Sequence, residues 1–357
     1  MAETAEARRA AIAARRYVPI LKAKQGERLA LRDLDAATRS AITPAFQLLP
    51  GRGDAQLGRE MRQLGVAWSG VSPVLLDATW ADPARTSDHP LIVASTLAAA
   101  EGVAVVPMVR PGSDLGHLAA AKAVVAAHGQ GAAIRVQAAG WQAGKSALFV
   151  DPLLRGLALR PEDVDLVLDA GALGSDADLA LFQSLLAGGL PTFAHLDEWR
   201  RVVVAGGSFP ADLRAVPAGV LTRLPRREWE LWARRPRVAR VLSYGDYGVA
   251  HPATVDEMTN PRAIPLWAQF RYTSMVSFLV AKGGDIKKSG DAEFYRAAAL
   301  IAGAPEFDGR AFSAADAFLA ARASGTGSPG GYSTWRRHGT GRHLTKVAAL
   351  LATPSGP

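Results

Sequence analysis

Short runs of apolar and β-branched residues, each bounded by turn residues, recur along the first two thirds of the chain. The runs are continuously apolar instead of alternating with polar residues, which is typical of strands that are buried on both faces of a sheet. The pattern predicts eight strands, at residues 17–21, 42–48, 73–76, 103–109, 133–136, 164–168, 202–205 and 238–242.

Alanine-rich stretches with helical spacing lie between most of these strands, for example at residues 94–101, 118–127 and 177–186. The alternation of strands and helices predicts right-handed crossovers and a parallel sheet. Eight such units in about 240 residues fit a closed barrel better than an open doubly wound sheet, because no phosphate-binding glycine motif follows the first strand. We therefore predict an α/β fold with a TIM-like (β/α)₈ barrel.

The pattern changes near residue 260. Residues 264–280 are rich in aromatic and β-branched residues and predict a hairpin or a long lid, and helices are expected at 294–302, 311–323 and 344–352. We divide the chain into an N-terminal extension at 1–16, the barrel at 17–260, and a C-terminal hairpin and helical appendage at 261–357. We expect the appendage to pack on the mouth of the barrel, the end at which its strands lead into the following helices.

The composition narrows the chemistry. With 49% hydrophobic and 21% charged residues over 357 positions, the chain can bury a substantial core. The absence of cysteine excludes disulfides, iron–sulfur clusters, thiolate zinc sites and a cysteine nucleophile. No apolar run approaches the roughly 18 residues needed to span a bilayer, and the N-terminal extension lacks the apolar core of a signal peptide. We expect a cytoplasmic protein that does not associate with membranes.

The net charge of +8 comes mainly from one segment. Residues 200–240 contain ten arginines but only three acidic residues, and a predicted helix there carries two tryptophans on one side. One interpretation is a solvated helix face on which Glu230 pairs with Arg226 and Arg234, each four residues away. The other is an electrostatic surface for an anionic partner such as nucleic acid.

Nearly every predicted strand ends in a polar residue. A parallel barrel gathers the C-terminal ends of its strands at one mouth, where (β/α)₈ enzymes place their active sites, whereas the opposite end mainly stabilises the fold. Converging like charges need a partner or an anionic ligand. The alternative is that charged residues only mark the points where strands leave the core. The candidates for one common pocket are Lys22, Asp77, Arg110, Arg135, Asp169 and Asp246.

A glycine pair follows the seventh predicted strand. Gly206 and Gly207 permit the close backbone approach of an anion-binding nest, and Ser208 can donate a hydrogen bond to a phosphate. The alternative is a tight turn that needs glycine for its geometry alone.

Two tyrosines flank a carboxylate after the eighth predicted strand. Tyr244, Asp246 and Tyr247 suit proton transfer, or stacking on a base or sugar. The alternative is that Asp246 only caps a turn and Tyr247 only packs in the core.

The C-terminal region supplies further candidates. Arg271 and Tyr272 on the predicted hairpin are expected to reach towards the mouth, the alternative being ordinary packing of a lid. Trp335, Arg336 and His343 belong to a basic segment flanked by aromatic residues, which can close over the barrel and bind phosphate or can simply begin a solvated helix.

Metal sites have little support in the sequence. The seven histidines form no His-x-His or His-Glu-x-x-His pattern, so a zinc site is not expected. Asp77, Asp169 and Asp246 leave open one cofactor, a Mg²⁺ ion held together with substrate phosphates, since such a site needs only one or two carboxylates.

Six short motifs occur in order along the chain: Tyr-Val-Pro-Ile-Leu-Lys-Ala-Lys-Gln-Gly-Glu at 17–27, Ile-Thr-Pro at 42–44, Ala-Gly-Gly-Ser-Phe-Pro at 205–210, Ser-Tyr-Gly-Asp-Tyr at 243–247, Phe-Arg-Tyr-Thr at 270–273 and Ser-Thr-Trp-Arg at 333–336. Together they resemble the beta protein family of tailed phages and bacteria over about residues 17–352. The resemblance implies an association with phages or mobile elements. Gln47 stands where similar members commonly carry a glutamate, and Arg342-His343 stands where a His-His pair is common. If that glutamate is catalytic in relatives, this chain lacks one of their catalytic residues.

Two classes of function follow from these observations. The first is a phage- or defence-associated binding module whose barrel mouth, or whose segment 200–240, binds an anionic ligand, nucleic acid, or a host or phage protein. The second is a barrel enzyme of hydrolase or phosphodiesterase type acting on a phosphate-bearing substrate. In that enzyme Lys22, Arg110 and Arg135 would hold the anion, and Asp246 or Asp169 would act as general base or metal ligand.

Overall fold

The computed structural model describes residues 11–12, 14–253 and 267–353. Its barrel strands are β1 (Tyr17–Lys22), β2 (Ala45–Gln47), β3 (Val74–Asp77), β4 (Val105–Val109), β5 (Ala132–Gln137), β6 (Val164–Ala172), β7 (Arg201–Gly207) and, after a strand β8 (Leu221–Pro225) that lies outside the barrel, β9 (Ser243–Asp246). The eight barrel strands pair in parallel and in chain order, and β9 closes the ring by pairing with β1. The predicted (β/α)₈ barrel is therefore confirmed.

Helices separate most of the strands, as the alternation predicted. They are α1 (Gln25–Arg32), α2 (Ala36–Ala41), α3 (Asp54–Trp68), α4 (Pro90–Ala100), α5 (Leu115–His128), α6 (Ala147–Leu157), α7 (Asp176–Gly189), α8 (Arg227–Ala233), the single turn α9 (Ile286–Ser289), α10 (Ala292–Ala302), α11 (Ala314–Ala323) and α12 (Tyr332–Ala352). Within the described ranges, no helix is both long enough and apolar enough to cross a bilayer.

The structure confirms the first seven predicted strands, with shifted ends, and corrects the eighth. The prediction of a strand at 238–242 is wrong, because the barrel closes through Ser243–Asp246. Arg240 in the predicted segment donates to the carbonyl oxygens of Leu196 and Trp199. The true strand consists of Ser, Tyr, Gly and Asp, so no apolar run marks it, although all four of its residues are buried.

Side chains along the strands alternate between the inside of the barrel and the helical layer. An apolar layer fills the middle of the interior. Gly245 belongs to it, since a Cβ atom there would lie only 2.9 Å from side-chain atoms of Val203 and Ala205. The other members of this layer are Val18, Ile20, Ala45, Leu75, Val106, Met108, Ala133 and Val167, and the ring of Tyr247 packs against them.

A buried ion cluster closes the N-terminal end of the barrel. Asp165 accepts hydrogen bonds from Arg200 and Arg201, at 2.8 and 2.5 Å. Arg201 also donates to the carbonyl oxygens of Ile12 and Arg15. The described part of the predicted N-terminal extension is thereby tied across this end.

A second, smaller sheet follows the barrel. Its strands β10 (Trp267–Thr273) and β11 (Ser277–Asp285) form an antiparallel hairpin, and β8 pairs with β11 on the other side. The first residues of the predicted hairpin, 264–266, and the predicted boundary at 260 lie outside the described residues. Because β8 comes from the predicted barrel segment, the second sheet takes in residues from both sides of that boundary.

The last helix, α12, completes the helical layer beside α1. Leu344 and Val347 join the main core with Tyr17 and Leu31, so this helix covers the side of the barrel instead of its mouth. It begins at Tyr332, well before the predicted start at 344. The polar and glycine-rich first half of α12 carries no helical apolar pattern, which is why the prediction began the helix too late.

Candidate functional site

Six inward-facing polar side chains lie at the mouth, above the apolar layer. Lys22, Gln47 and Asp77 are partner positions on the neighbouring strands β1, β2 and β3, so they form one row. We call the whole set the mouth cluster; it consists of Lys22, Gln47, Asp77, Arg135, Asp169 and Tyr247, and all are buried or nearly so. Five of the predicted site residues are thereby brought together.

Arg135 joins the two carboxylates of the mouth cluster. Its Nη1 donates to Asp77 at 2.9 Å, while its Nε and Nη2 donate to Asp169 at 2.9 and 2.7 Å. Burial opposes the charge on Arg135, but Tyr247 and the two carboxylates raise its pKa. Burial likewise opposes ionisation of Asp77, yet Arg135 and Thr79 hold the pKa of Asp77 below its ordinary value. The result is a fixed Asp–Arg–Asp arrangement in which one guanidinium bonds to two carboxylates.

Tyr247 completes this arrangement from the segment after β9. Its hydroxyl donates to Asp169 Oδ2 at 2.8 Å and accepts a hydrogen bond from Arg135. Burial and Asp169 raise the pKa of Tyr247 well above its ordinary value, so the phenol keeps its proton. Asp169 Oδ2 then accepts from both residues, which leaves this carboxylate poorly placed to act as a general base.

The β1 side of the mouth cluster is organised differently. Lys22 donates to the carbonyl oxygen of His251 at 2.8 Å, and its ammonium lies 5.9 Å from the centre of the Trp80 ring. The side-chain amide of Gln47 donates to Asp77 Oδ2 at 3.5 Å. Its Oε1 is buried and accepts no hydrogen bond from the residues that the structure describes.

Glu27 is a functional candidate that the sequence reasoning missed. It lies in the first turn of α1, is 3% exposed, and has Arg336 at 3.7 Å. Burial raises its pKa, although Arg336, Lys24 and Lys22 all act in the opposite direction. Its position five residues after Lys22, within the motif at 17–27, was the available signal.

The prediction that Asp246 lies in the mouth is wrong. Because the last strand is Ser243–Asp246, and side chains alternate between the two faces of a strand, Asp246 points outward into the helical layer. There it accepts hydrogen bonds from Tyr17 at 2.9 Å and from Gly248, and it pairs with His343 Nε2 at 2.7 Å. His343 Nδ1 lies 2.9 Å from Thr273 Oγ1. His343 therefore links α12 to β9 and β10, inside the protein and away from the mouth.

Tyr244 and the glycine pair also have roles other than those expected. Tyr244 packs outward against Trp229 and Trp232 of α8. Gly206 and Gly207 belong to β7 and do not form a nest. Neighbouring side chains leave no room for a Cβ atom at these positions. A Cβ at Gly206 would lie only 2.7 Å from Leu173.

Ser208 caps α8 and does not face a ligand. Its hydroxyl accepts from the Arg227 amide and lies within hydrogen-bond distance of Glu228 and of the Pro225 carbonyl oxygen. Arg110 leaves the end of β4 with an exposed side chain, which makes no hydrogen bond or ion pair within the described part of the chain. Neither residue joins the mouth cluster, contrary to expectation.

The C-terminal candidates divide between the barrel edge and the appendage. Arg271 donates to the Val249 carbonyl oxygen at 2.7 Å, close to the end of β9. Tyr272 donates to Asp316 at 2.9 Å, and Trp335 stacks on Phe294 in the core of the appendage. Arg336 alone among the predicted α12 residues reaches the β1 side of the mouth, through Glu27.

The arginines of segment 200–240 do not form one solvated face. Arg226 is buried, pairs with Glu228 at 3.0 Å, and so makes neither the predicted pair with Glu230 nor an exposed surface. The predicted pair between Glu230 and Arg234 is present at 2.6 Å. Arg200, Arg201 and Arg240 are bonded inside the fold as described above.

The mouth carboxylates do not suit a magnesium ion. The Arg135 guanidinium stands between Asp77 and Asp169 and bonds to both, and Asp246 faces away from them. In the ranges that the structure covers, no three His, Asp or Glu side chains come together as metal ligands.

Comparisons with known proteins give one family and one fold. A family model described as Beta protein matches residues 17–349. No curated protein matches the chain. Nine chains of solved structures match. One is triosephosphate isomerase from Bartonella henselae, at 14% identity and a TM-score of 0.34, with 65% of this chain and 91% of that chain covered. This similarity is too low to assign a fold, so we assign the barrel from the strand order of this chain.

Proposed function

This chain belongs to the Beta protein family, and we propose that it is a binding module whose barrel mouth takes a small anionic ligand. The observation that carries the proposal is the charge on the β1 side of the mouth. Lys22, Lys24 and Arg336 all act on the carboxylate of Glu27, so three positively charged side chains come together there. Arg135 adds no positive excess, because it bonds to two carboxylates, Asp77 and Asp169.

The architecture supports this assignment. Ligands of (β/α)₈ proteins bind at the C-terminal ends of the strands, where loop and strand residues converge. The opposite end of this barrel is closed by Asp165, Arg200 and Arg201. Binding of nucleic acid through segment 200–240 is the weaker alternative, since Arg226 and Arg201 are buried and paired.

Calorimetric titration with inorganic phosphate, pyrophosphate and adenosine monophosphate tests the proposal. We expect Lys22→Met to weaken binding of the probe that the wild type binds by at least about tenfold, which corresponds to 1.4 kcal/mol. Arg110→Ala is the matched control, because it removes an exposed cation from the end of another strand, β4. Failure of the wild type to bind any probe, or equal losses in the two variants, would overturn the proposal.

Glu27 supports a second candidate, a hydrolase or phosphodiesterase at the same mouth. A carboxyl group whose pKa is raised by burial, beside three cations, can donate a proton to the leaving group of a bound phosphate ester. In that case Glu27→Gln should lower turnover of a phosphodiester by about 10²- to 10⁴-fold while binding of the product is retained. Unchanged turnover in the variant, or no turnover of any ester by the wild type, rejects this candidate.

A further inference from the structure

Gln47 presents an unused hydrogen-bond acceptor in the mouth. Its side chain is 2% exposed and lies in the row between Lys22 and Asp77. The Nε2 group is directed at Asp77 Oδ2, at 3.5 Å, whereas Oε1 accepts nothing from the described residues. A buried acceptor without a donor costs free energy, which a ligand that supplies the donor recovers on binding.

The orientation of this amide is fixed by its neighbour. The pKa of Asp77 is held low, so Asp77 is ionised and can only accept hydrogen bonds. Rotating the Gln47 amide by half a turn would place its oxygen against that carboxylate and remove the bond from Nε2. Oε1 must therefore remain the group that is offered to a ligand.

We infer that the anionic ligand of the mouth also carries a hydroxyl or amide N–H donor, which bonds to Gln47 Oε1. This inference rests on the function proposed above. Neighbouring strands are roughly 5 Å apart, so Lys22 and Gln47 suit an anionic group and a donor one or two carbons away from it. The Trp80 ring beside Lys22 offers an apolar surface to the carbon chain between them. The chemical class is a polyol or sugar phosphate.

A matched pair of ligands tests this inference. Glycerol 3-phosphate carries hydroxyl donors next to its phosphate ester, and propyl phosphate has the same carbon chain without them. We expect the wild type to bind glycerol 3-phosphate at least about tenfold more tightly in calorimetric titrations. Gln47→Met removes the acceptor at similar volume and should abolish this preference, so that the variant binds the two phosphates with similar affinity.

The control is Lys22→Met, which should weaken the binding of both ligands and leave the ratio of their affinities as in the wild type. Thermal unfolding of each variant establishes that it is folded before it is titrated. If the wild type binds both phosphates equally, or if Gln47→Met keeps the preference, the inference fails while the proposed function stands. If the wild type binds neither ligand, and none of the three probes above, both fail.

Discussion

Buried charges occur at both ends of this barrel, and single residues show how the ends differ. At the N-terminal end, backbone carbonyl oxygens of Ile12 and Arg15 accept hydrogen bonds from Arg201, whose Nε has no acceptor among the described residues. At the mouth, Gln47 Oε1 is left without a donor from the described residues. A buried ion cluster is weak evidence for function on its own, because many such clusters are structural. The mouth differs in that its unfilled group is an acceptor at the C-terminal ends of the strands, where ligands of (β/α)₈ proteins bind.

His338 gives the molecule a pH-dependent stability at the residue scale. Its ring stacks on Phe318 with centroids 3.7 Å apart, and burial together with Arg337 lowers its pKa from 6.5 to about 4. In the unfolded chain His338 therefore takes up a proton near pH 6.5, whereas in the folded chain it does so only at about pH 4. Stability is lost as the pH falls through this interval, by about 2 kcal/mol at pH 5.

The replacement His338→Phe keeps the aromatic stack and removes the titration. Urea unfolding of both proteins at pH 7.5 and pH 5 should show that the wild type loses about 2 kcal/mol more than the variant. A stability difference between the two proteins that is the same at both pH values contradicts the assignment to His338.

Among the elements, α12 depends on one buried pair. His343 bonds to Asp246 on β9 and to Thr273 on β10, and both it and Asp246 are almost completely buried. His343→Ala leaves the Asp246 carboxylate without this partner, so we expect a loss of about 3 kcal/mol in unfolding free energy. Hydrogen exchange should accelerate most in α12 and β10, the elements that the pair joins.

A second Asp–His pair in the chain serves as the control. His195 lies 2.9 Å from Asp151, but both side chains are about one third exposed. His195→Ala should therefore cost less than about 1 kcal/mol, as exposed pairs do. Similar losses in the two variants would mean that burial of the His343 pair is not what holds α12.

The elements also show what the sequence could and could not predict. The strands β1 to β7 are apolar and buried on both faces, so their pattern alone located them. β9 is polar because outward-facing side chains such as Asp246 bond to residues distant in the sequence, here Tyr17 on the neighbouring strand β1. The neighbouring sequence does not reveal such bonding, so the strand was missed. As a consequence, Asp246 was predicted to face the mouth instead of the helical layer. Glu27 was missed because its burial depends on α12.

For the whole molecule, the net charge of +8 turns out to be a poor guide to binding. Several arginines of segment 200–240 bond to carboxylates or carbonyl oxygens within the fold, among them Arg200, Arg226 and Arg240. Charge that is neutralised inside the protein does not contribute a field for a polyanion. The cations on which the proposed function rests lie instead at the mouth, around Glu27.

The barrel and the C-terminal appendage should unfold as one unit. The helix α12 shares the main core with β1 through Leu344 and Val347. The strand β8 lies between the barrel strands β7 and β9 in the chain but belongs to the second sheet. Neither part can therefore lose its structure without exposing apolar surface of the other, which makes the transition cooperative. Trp335 lies in the appendage core and reports on that part, so the fluorescence difference between the wild type and Trp335→Phe follows the appendage, while circular dichroism follows the whole chain. We expect both signals to share one urea midpoint, and two separated midpoints would show that the appendage is an independent domain.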